Sequence, residues 1–506
     1  MRLHWHSAEA GRPIRILRRS IRKPDGNAIR RCQIECSGNS WKETLKNLTA
    51  YVLGAMAFGS CWGSAQAKVE RPPQFVAIAF DNCTELERWK EWTDFTQEMN
   101  QDGDHLHLTF FVSGVNFLAD ENKQAYRGPH RHKPGTSNID FGGSPEEVSE
   151  RVAYINGLHN SGNEIGSHTV GHFDGGNDEG GENWSAADWR QEFSSYDDLF
   201  TNLATHNGLP GVKFNFKIDE VRGFRAPYLS TNPGLYEILK ENRFRYDTSR
   251  DGDWNAWPIK QNGMWLFKLA DLKLHGSKKP TLSMDYNFFM AQSKAKDDPP
   301  NYARYREQML QTYLDYFREN YTGNRAPIHI GHHFYDYQGG AYRQALKAFA
   351  RAVCRLPEVR CVSYAQLADY LDEAERNGTL PALSSGEFPH YEQEPKIDVA
   401  QAFSRARPFV AVEVAASRRL RASLVGAGKS EFAEGNFSWI LNGRKAGEGP
   451  TFDAAKLRKN RVQMLTVISL DAQGKEVSRG TRPIRVSGRT TQLPAPEPEL
   501  KSRALQ

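Results

Sequence analysis

The chain runs to 506 residues, longer than one ordinary domain, with moderate apolar content and a formal net charge of +5. That charge is local: residues 1–46 hold 11 of the 66 Lys/Arg and 4 of the 61 Asp/Glu, which leaves 55 against 57 for the remainder. A near-neutral body removes the electrostatic reason to expect nucleic-acid binding, and an aromatic share of 11% suits a packed chain better than a disordered one.

The basic start reads as a leader ending in an export signal. Lys42 and Lys46 precede an apolar stretch from Leu48 to Trp62, and Ala65-Gln66-Ala67 is a small-x-small cleavage pattern. The stretch is too short and too rich in Gly and Ser for a good membrane span. A short anchor helix is the alternative, so a membrane enters only through an uncleaved signal. Cys61 raises a lipoprotein reading, which Phe58 and Gly59 disfavour. Cleavage after Ala67 starts the mature chain at Lys68, and a signal so far from Met1 leaves open whether residues 1–38 are translated. The expected destination is periplasmic or extracellular. Of six cysteines, Cys83, Cys354 and Cys361 remain in that mature chain. Cys354 and Cys361 bracket a short helix-to-strand turn and can pair in an oxidising compartment, which leaves Cys83 unpaired.

From about Gln74 to Leu371, strand-like apolar runs alternate with amphipathic segments, the pattern of a βα architecture. Phe75 to Phe80 reads as a buried strand. Glu85 to Met99 follows with Leu86, Trp89, Phe95 and Met99 near helical spacing. Leu106 to Val112 is a second strand. A long Gly/Pro/His-rich connection then runs from Gly114 to Gly143, a length usually reserved for functional or disordered loops. Ser144-Pro145-Glu146-Glu147 opens a helix with an N-cap, a first-turn proline and a capping-box Glu. A third strand ends near Ser167, and Ile328–Gly331 and Cys361–Ser363 are later strands flanking a helix from Tyr342 to Val353. Seven or eight such units over about 300 residues fit an α/β fold, a distorted (β/α)7-8 barrel over residues 68–380.

Residues 381–404 are polar and aperiodic and read as a linker. Over residues 405–488 the pattern changes to short alternating strands, Phe409–Val414, Phe437–Leu441, Val462–Leu470 and Arg482–Val486. Turn signals at Asn442-Gly443 and Gln473-Gly474 separate them, which predicts a small immunoglobulin-like β-sandwich. Residues 489–506 form a Pro/Glu-rich tail.

Four clusters fall where strands of a barrel should end. Asp81-Asn82 directly follows the first strand, where a carboxylate faces the open end; alone, such an Asp is more often a turn or cap residue. His168-Thr-Val-Gly-His172 places two imidazoles four residues apart, on one face of a helical turn, where they can share a metal ion; solvent-facing histidines are the plainer reading. Arg225-Ala-Pro-Tyr228 offers a bidentate carboxylate partner and a stiffened loop presenting Tyr228. His329-Ile-Gly-His332-His333 ends a late strand on which His329 and His333 point one way and His332 the other. A histidine there is a natural general acid. Trp254, Trp257 and Tyr228 are candidates for stacking on sugar faces, with packing beneath loops an equal alternative.

In order and spacing these clusters resemble the polysaccharide deacetylase family, over roughly residues 74–372. Other segments are similar to its animal-type chitin deacetylase branch: Trp184-Ser-Ala-Ala-Asp-Trp189, Gly223-Phe-Arg-Ala-Pro-Tyr-Leu229, Tyr246-Asp-Thr-Ser249, Trp257-Pro258 and Val362-Ser-Tyr-Ala-Gln-Leu367. The resemblance implies a metal-dependent hydrolase acting on an N-acetylated polysaccharide, chitin-like or peptidoglycan. It implies Asp81 as the catalytic base, His168 and His172 as metal ligands and Arg225 as the residue orienting the base. The Tyr228 backbone N–H would serve the oxyanion hole, and the acid aligns with His332, with His333 as the fallback. The implied cofactor is a divalent metal, zinc first, with cobalt or manganese as alternatives.

One position departs from the family. Where it carries a second Asp as third metal ligand, this sequence has Asn82, whose amide oxygen can ligate but brings no charge. Asp174, two residues after His172, is a possible compensation. The departure motivates an alternative, a catalytically weak or inactive glycan-binding barrel; a second alternative keeps the chemistry and acts on O-acetylated polymers such as xylan.

Overall fold

The computed structural model describes residues 69–101, 103–173, 180–390, 395–404, 409–416, 419–425, 432–433, 436–441, 444–457, 462–471, 473–487 and 490–492. The leader with its signal and cleavage pattern, Asp174, the Asn442-Gly443 turn and the tail from residue 493 lie outside the described residues. No helix among those described is long and apolar enough to cross a membrane.

In chain order the first part comprises β1 (Gln74–Asp81), α1 (Leu86–Met99), β2 (Thr109–Val112), α2 (Pro145–Asn160), β3 (Glu164–Ser167), α3 (Ala186–Thr201), α4 (Leu203–Asn207), β4 (Gly223–Phe224) and α5 (Pro233–Glu241). It continues through β5 (Tyr246–Asp253), β6 (Ile259–Gln261), β7 (Met264–Lys273), β8 (Pro280–Leu282), α6 (Asp285–Ser293), α7 (Tyr302–Thr322), β9 (Ile328–His333), α8 (Ala341–Val353), β10 (Val359–Val362) and α9 (Tyr364–Arg376). Local sequence explains several of these. α1 buries Trp89, Trp92, Phe95 and Met99 along one face. α2 begins with the expected capping box, in which Ser144 and Glu147 satisfy each other's backbone N–H groups, a device worth about 1 kcal/mol.

Among the described residues the sheet of this part is ten-stranded and mostly parallel. β1, β2, β3, β4, β5 and β7 pair in parallel in that order, β9 lies along the other edge of β1, and β10 fits beside the first half of β1. β8 returns antiparallel to β7; Met284 just beyond it bridges to Gly331 of β9, whose N–H donates to the Ser283 carbonyl at 2.9 Å. The pairings therefore run round a ring. Because strand side chains alternate, Val76, Ile78 and Phe80 of β1 join the core beneath the helices, while Phe75, Ala77 and Ala79 join an inner cluster with Phe111, Tyr246, Phe267 and Tyr364. The disulfide Cys354–Cys361 ties α8 to β10, and Cys83 is a buried free thiol.

The stretch read as a linker is structured in part. It carries α10 (Leu380–Ser385) and α11 (Val399–Ser404), and Leu383, Phe388 and Ala402 are buried in the cores of the first part. A few apolar residues at irregular spacing suffice to dock a segment onto a helix layer already built. Beyond it come β11 (Phe409–Ala416), β12 (Arg419–Val425), β13 (Phe432–Ala433), β14 (Asn436–Leu441), β15 (Arg444–Glu448), β16 (Thr451–Asp453), β17 (Val462–Leu470), β18 (Glu476–Ser487) and β19 (Thr490–Gln492). They form two antiparallel sheets, β11, β12, β13 and β16 in one and β15, β14, β17, β18 and β19 in the other. One core draws Val410, Val412, Leu420 and Ala422 from the first sheet and Phe437, Trp439, Leu465 and Val467 from the second. This part meets the first where Glu87, at the start of α1, accepts from the Thr466 hydroxyl at 3.1 Å and lies 3.5 Å from Arg479.

Candidate active site

Parallel strands in one sheet end on one side, so β1, β2, β3, β4 and β9 deliver Asp81, Val112, Ser167, Phe224 and His333 to a common face. Asp81 lies on the inner side of β1, buried. Arg225, one residue past β4, donates Nη1 to its Oδ1 at 3.0 Å and to its Oδ2 at 3.3 Å. Both partners are almost wholly inaccessible, with side-chain exposures of 0% for Arg225 and 3% for Asp81. The guanidinium has further partners: Nε donates to the Thr248 carbonyl, Nη2 to the Thr248 hydroxyl, and its Cζ lies 4.6 Å from the Phe111 ring centre. Burial opposes the charge on Arg225, but Asp81 and its hydrogen bond outweigh that opposition and hold the group above its ordinary value. Gly331 lets the pair approach β9, because a Cβ there would stand 3.2 Å from Nη1 of Arg225.

His168 and His172 come together with ring centres 4.9 Å apart, and His172 lies 4.9 Å from the Tyr228 ring. They do not share a helical turn. Residues 168–172 form an irregular loop after β3, with Thr169 at φ +61° and His172 at φ +52°. The sequence spacing thus brought the rings together through a loop, held by side-chain and backbone bonds rather than by helical hydrogen bonding. His168 bonds the Arg225 carbonyl through Nδ1 at 2.7 Å. Fixing that nitrogen on a backbone carbonyl sets the ring's orientation, as is usual for metal-ligating histidines. Asn82, the next residue after Asp81, is buried at φ +50°.

Among the described residues no group of three or more His, Cys, Asp or Glu side chains is placed to hold a metal ion. The candidate donors are the two imidazoles and the neutral amide of Asn82, which directly follows Asp81. Imidazole nitrogen and amide oxygen are both acceptable donors to a divalent ion of the zinc type, so the set fits one, with less charge than a carboxylate ligand would give.

β9 separates the two candidate acids by strand face. His332 is the register partner of Phe80 and shares the helix-facing side with Ile328 and Ile330. Its Nε2 lies 3.0 Å from the Tyr313 hydroxyl of α7, and burial pushes it down to about 4 against the opposing influence of Asp285. His333 is the register partner of Asp81 and lies on the inner side with it. Its Nδ1 bonds Asp285 Oδ1 at 2.6 Å, and its backbone N–H donates to Oδ2 at 2.8 Å. Asp285 opens α6 directly after the residue that bridges to Gly331. It was not found in the sequence, where Ser283-Met284-Asp285 resembles an ordinary helix start. Only strand alternation combined with the bridge reveals its place. Near the same end, Tyr228 stands at φ +54° in a tight turn, and Tyr335 is half-buried with its ring centre 6.2 Å from that of His333.

The two tryptophans are elsewhere. Trp257 is 7% exposed, belongs to the inner cluster and donates its indole N–H to the Asn324 carbonyl at 2.8 Å; the Trp254 carbonyl accepts from Asn320. Asn320 and Asn324 lie before β9, whereas His333 is its last residue. The strand's length of roughly 17 Å therefore separates both tryptophans from the site. Trp257 packs beneath a loop, as its plainer reading had it. An open cavity of about 650 Å³ beside β10 and α9 likewise contains none of the site residues.

Neither a family model nor a curated protein matches the chain. Among solved structures it is similar to a protein from Mycobacterium smegmatis described as a polysaccharide deacetylase, at 15% identity over 65% of this chain and 99% of that one, with a TM-score of 0.37. It is also similar to a peptidoglycan deacetylase from Bacillus subtilis, at 13% identity, 61% and 98% coverage and a TM-score of 0.30. A pseudoenzyme from Bacillus anthracis is matched at 11% identity, 59% and 66% coverage and the same TM-score of 0.30. What the site can do chemically follows from its own residues.

Proposed function

We propose that this chain is a polysaccharide deacetylase, a metal-dependent hydrolase removing N-acetyl groups from an amino-sugar polymer such as chitin or peptidoglycan. The observation that carries the reading is the pairing of Asp81 with His333 across neighbouring strand ends. One is a carboxylate clamped by Arg225; the other is an imidazole clamped by Asp285. A base and an acid held on one inner face are what hydrolysis of an amide requires, because the amine leaves only when protonated.

When held by His168, His172 and Asn82, a divalent metal, zinc first, supplies Lewis acidity to the acetamide carbonyl and makes water more acidic. Asp81 accepts the proton of the attacking water, and Arg225 holds that carboxylate in place. The turn at Tyr228 presents its N–H to the oxygen on which charge develops. His333 gives its Nε2 proton to the departing amine, while Asp285 holds Nδ1 and stabilises the charged imidazole. Acetate and a free amino sugar result.

The ring of parallel strands supports reading residues 68–380 as a distorted (β/α)7-8 barrel, and the shared core of the two C-terminal sheets supports an immunoglobulin-like sandwich. The Cys354–Cys361 bond supports export to an oxidising compartment. The test is acetate release by the purified protein from a chitin oligomer across a zinc and cobalt titration, with His168→Ala as control. Metal-dependent release lost in the variant is the expected result. Metal binding without release from N-acetyl or O-acetyl oligosaccharides would replace this reading with a glycan-binding one.

A further inference from the structure

The two candidate metal-binding histidines sit on a loop that strand pairing does not hold, with two residues in the left-handed region. Its backbone groups are secured one at a time. The His168 N–H donates to the Val112 carbonyl at 3.1 Å, and the Thr169 carbonyl accepts from Gly114 at 2.8 Å. The Gly171 carbonyl accepts from the Asn138 N–H and the Ser137 hydroxyl, each at 3.0 Å, so the long connection after β2 contributes to the site. The N–H groups of Val170 and Gly171, which lie between the histidines, both donate to one oxygen, Oε1 of Glu192, at 2.9 Å each. Oε2 of the same carboxylate accepts from the Tyr126 hydroxyl at 2.8 Å.

Glu192 lies on α3 among the core-facing Trp189, Phe193 and Tyr196 and is 1% exposed. A carboxylate placed there carries a heavy desolvation penalty unless it is fully hydrogen-bonded. An apolar side chain would pack that face of the helix without this cost. What Glu192 does that an apolar residue cannot is gather two consecutive amides of the histidine loop onto one atom. A side chain at position 171 would run into the Phe173 ring and the Tyr126 hydroxyl, so the loop follows its path only with Gly171 in place.

We infer that Glu192 is the positioning residue of the histidine pair. By holding the Val170 and Gly171 N–H groups it sets the path of the loop, and with it the separation of the His168 and His172 rings. Tyr126 in turn fixes the carboxylate. The inference rests on the metal-site reading above and assigns that site a support no motif of the sequence pointed to.

The experiment compares wild type, Glu192→Ala, Glu192→Asp and Glu192→Gln by cobalt titration, read from the visible absorption of the bound ion. Hydrogen exchange over residues 168–173 is followed in parallel, and near-UV circular dichroism reports folding. Glu192→Gln keeps an oxygen that can accept both N–H groups and is expected to bind cobalt within about threefold of wild type. Glu192→Ala should lose at least tenfold in affinity, with a changed absorption envelope and faster exchange at Val170 and Gly171. Glu192→Asp keeps the charge but withdraws the oxygen by about one methylene, roughly 1.5 Å, so it should lose at least fivefold and remains informative if the alanine variant fails to fold. A folded Glu192→Ala or Glu192→Asp with wild-type affinity and spectrum would overturn the positioning role alone. Wild-type protein that binds no cobalt would overturn the metal reading and this inference together, so the two failures are distinguishable.

Discussion

Removing Arg225 should be the most destabilising single change in the site, and its cost can be worked from the geometry. Arg225→Leu strips Asp81 of its counter-ion while leaving the carboxylate with a side-chain exposure of 3%. Breaking a buried pair by deleting one partner costs about 3–5 kcal/mol, because an uncompensated charge stays behind. The upper half of that range applies, since the two bonds to Thr248 and the contact with Phe111 go as well. Adding Asp81→Asn to Arg225→Leu replaces the stranded carboxylate with a neutral amide, whose burial penalty of about 1–3 kcal/mol is smaller. The double variant should therefore regain about 2 kcal/mol relative to Arg225→Leu, although it carries one more substitution. Urea unfolding followed by far-UV circular dichroism measures all four corners of the cycle. If the two losses simply add, the pair is not electrostatically coupled and the account of Arg225 as the partner of Asp81 fails. In the same set, acetate release should vanish in every variant lacking Asp81.

Three further outcomes follow from the same geometry. His333→Gln should lower the turnover rate by about 10²–10⁴, whereas His332→Gln should leave turnover within a few-fold of wild type; equal losses in steady-state assays would undo the separation of the two histidines by strand face. Stability should fall in acid because burial lowers His329 to about 3 and His332 to about 4. Both histidines are neutral in the folded protein, so their contribution is complete above the unfolded histidine value of about 6.5 and drains away as pH drops from there through the folded values. The loss is on the order of a few kcal/mol, and a urea midpoint series from pH 7 to 4 should show a shallower slope for His332→Gln than for wild type. Finally, Asn82→Asp should tighten zinc binding by about tenfold or more by adding a charged ligand. Unchanged affinity in a calorimetric titration would mean that residue 82 does not ligate.

The elements the sequence placed well are those with strong local periodicity. β1, α1, the α2 capping box and β17 were all legible, because burial alternation and cap chemistry are written within a few residues of one another. The family resemblance also implied that Asp81 and Arg225 should meet, and they do so across 144 residues. Tertiary structure decided matters that depend on which face of an element is closed. Strand β9 carries adjacent histidines, and only its pairing with β1 shows that His333 shares the inner face while His332 meets α7. Asp285 and Glu192 carry no signature, since a carboxylate in the first turn of α6 or in the middle of α3 looks ordinary until the fold buries it against the group it holds. Trp257 fails in the opposite direction: an aromatic residue near strand ends resembles a sugar platform until its indole is found bonded beneath a loop at the far end of β9. Local chemistry is encoded in neighbours along the chain, whereas the direction a side chain faces is settled by elements that reach it from tens to hundreds of residues away.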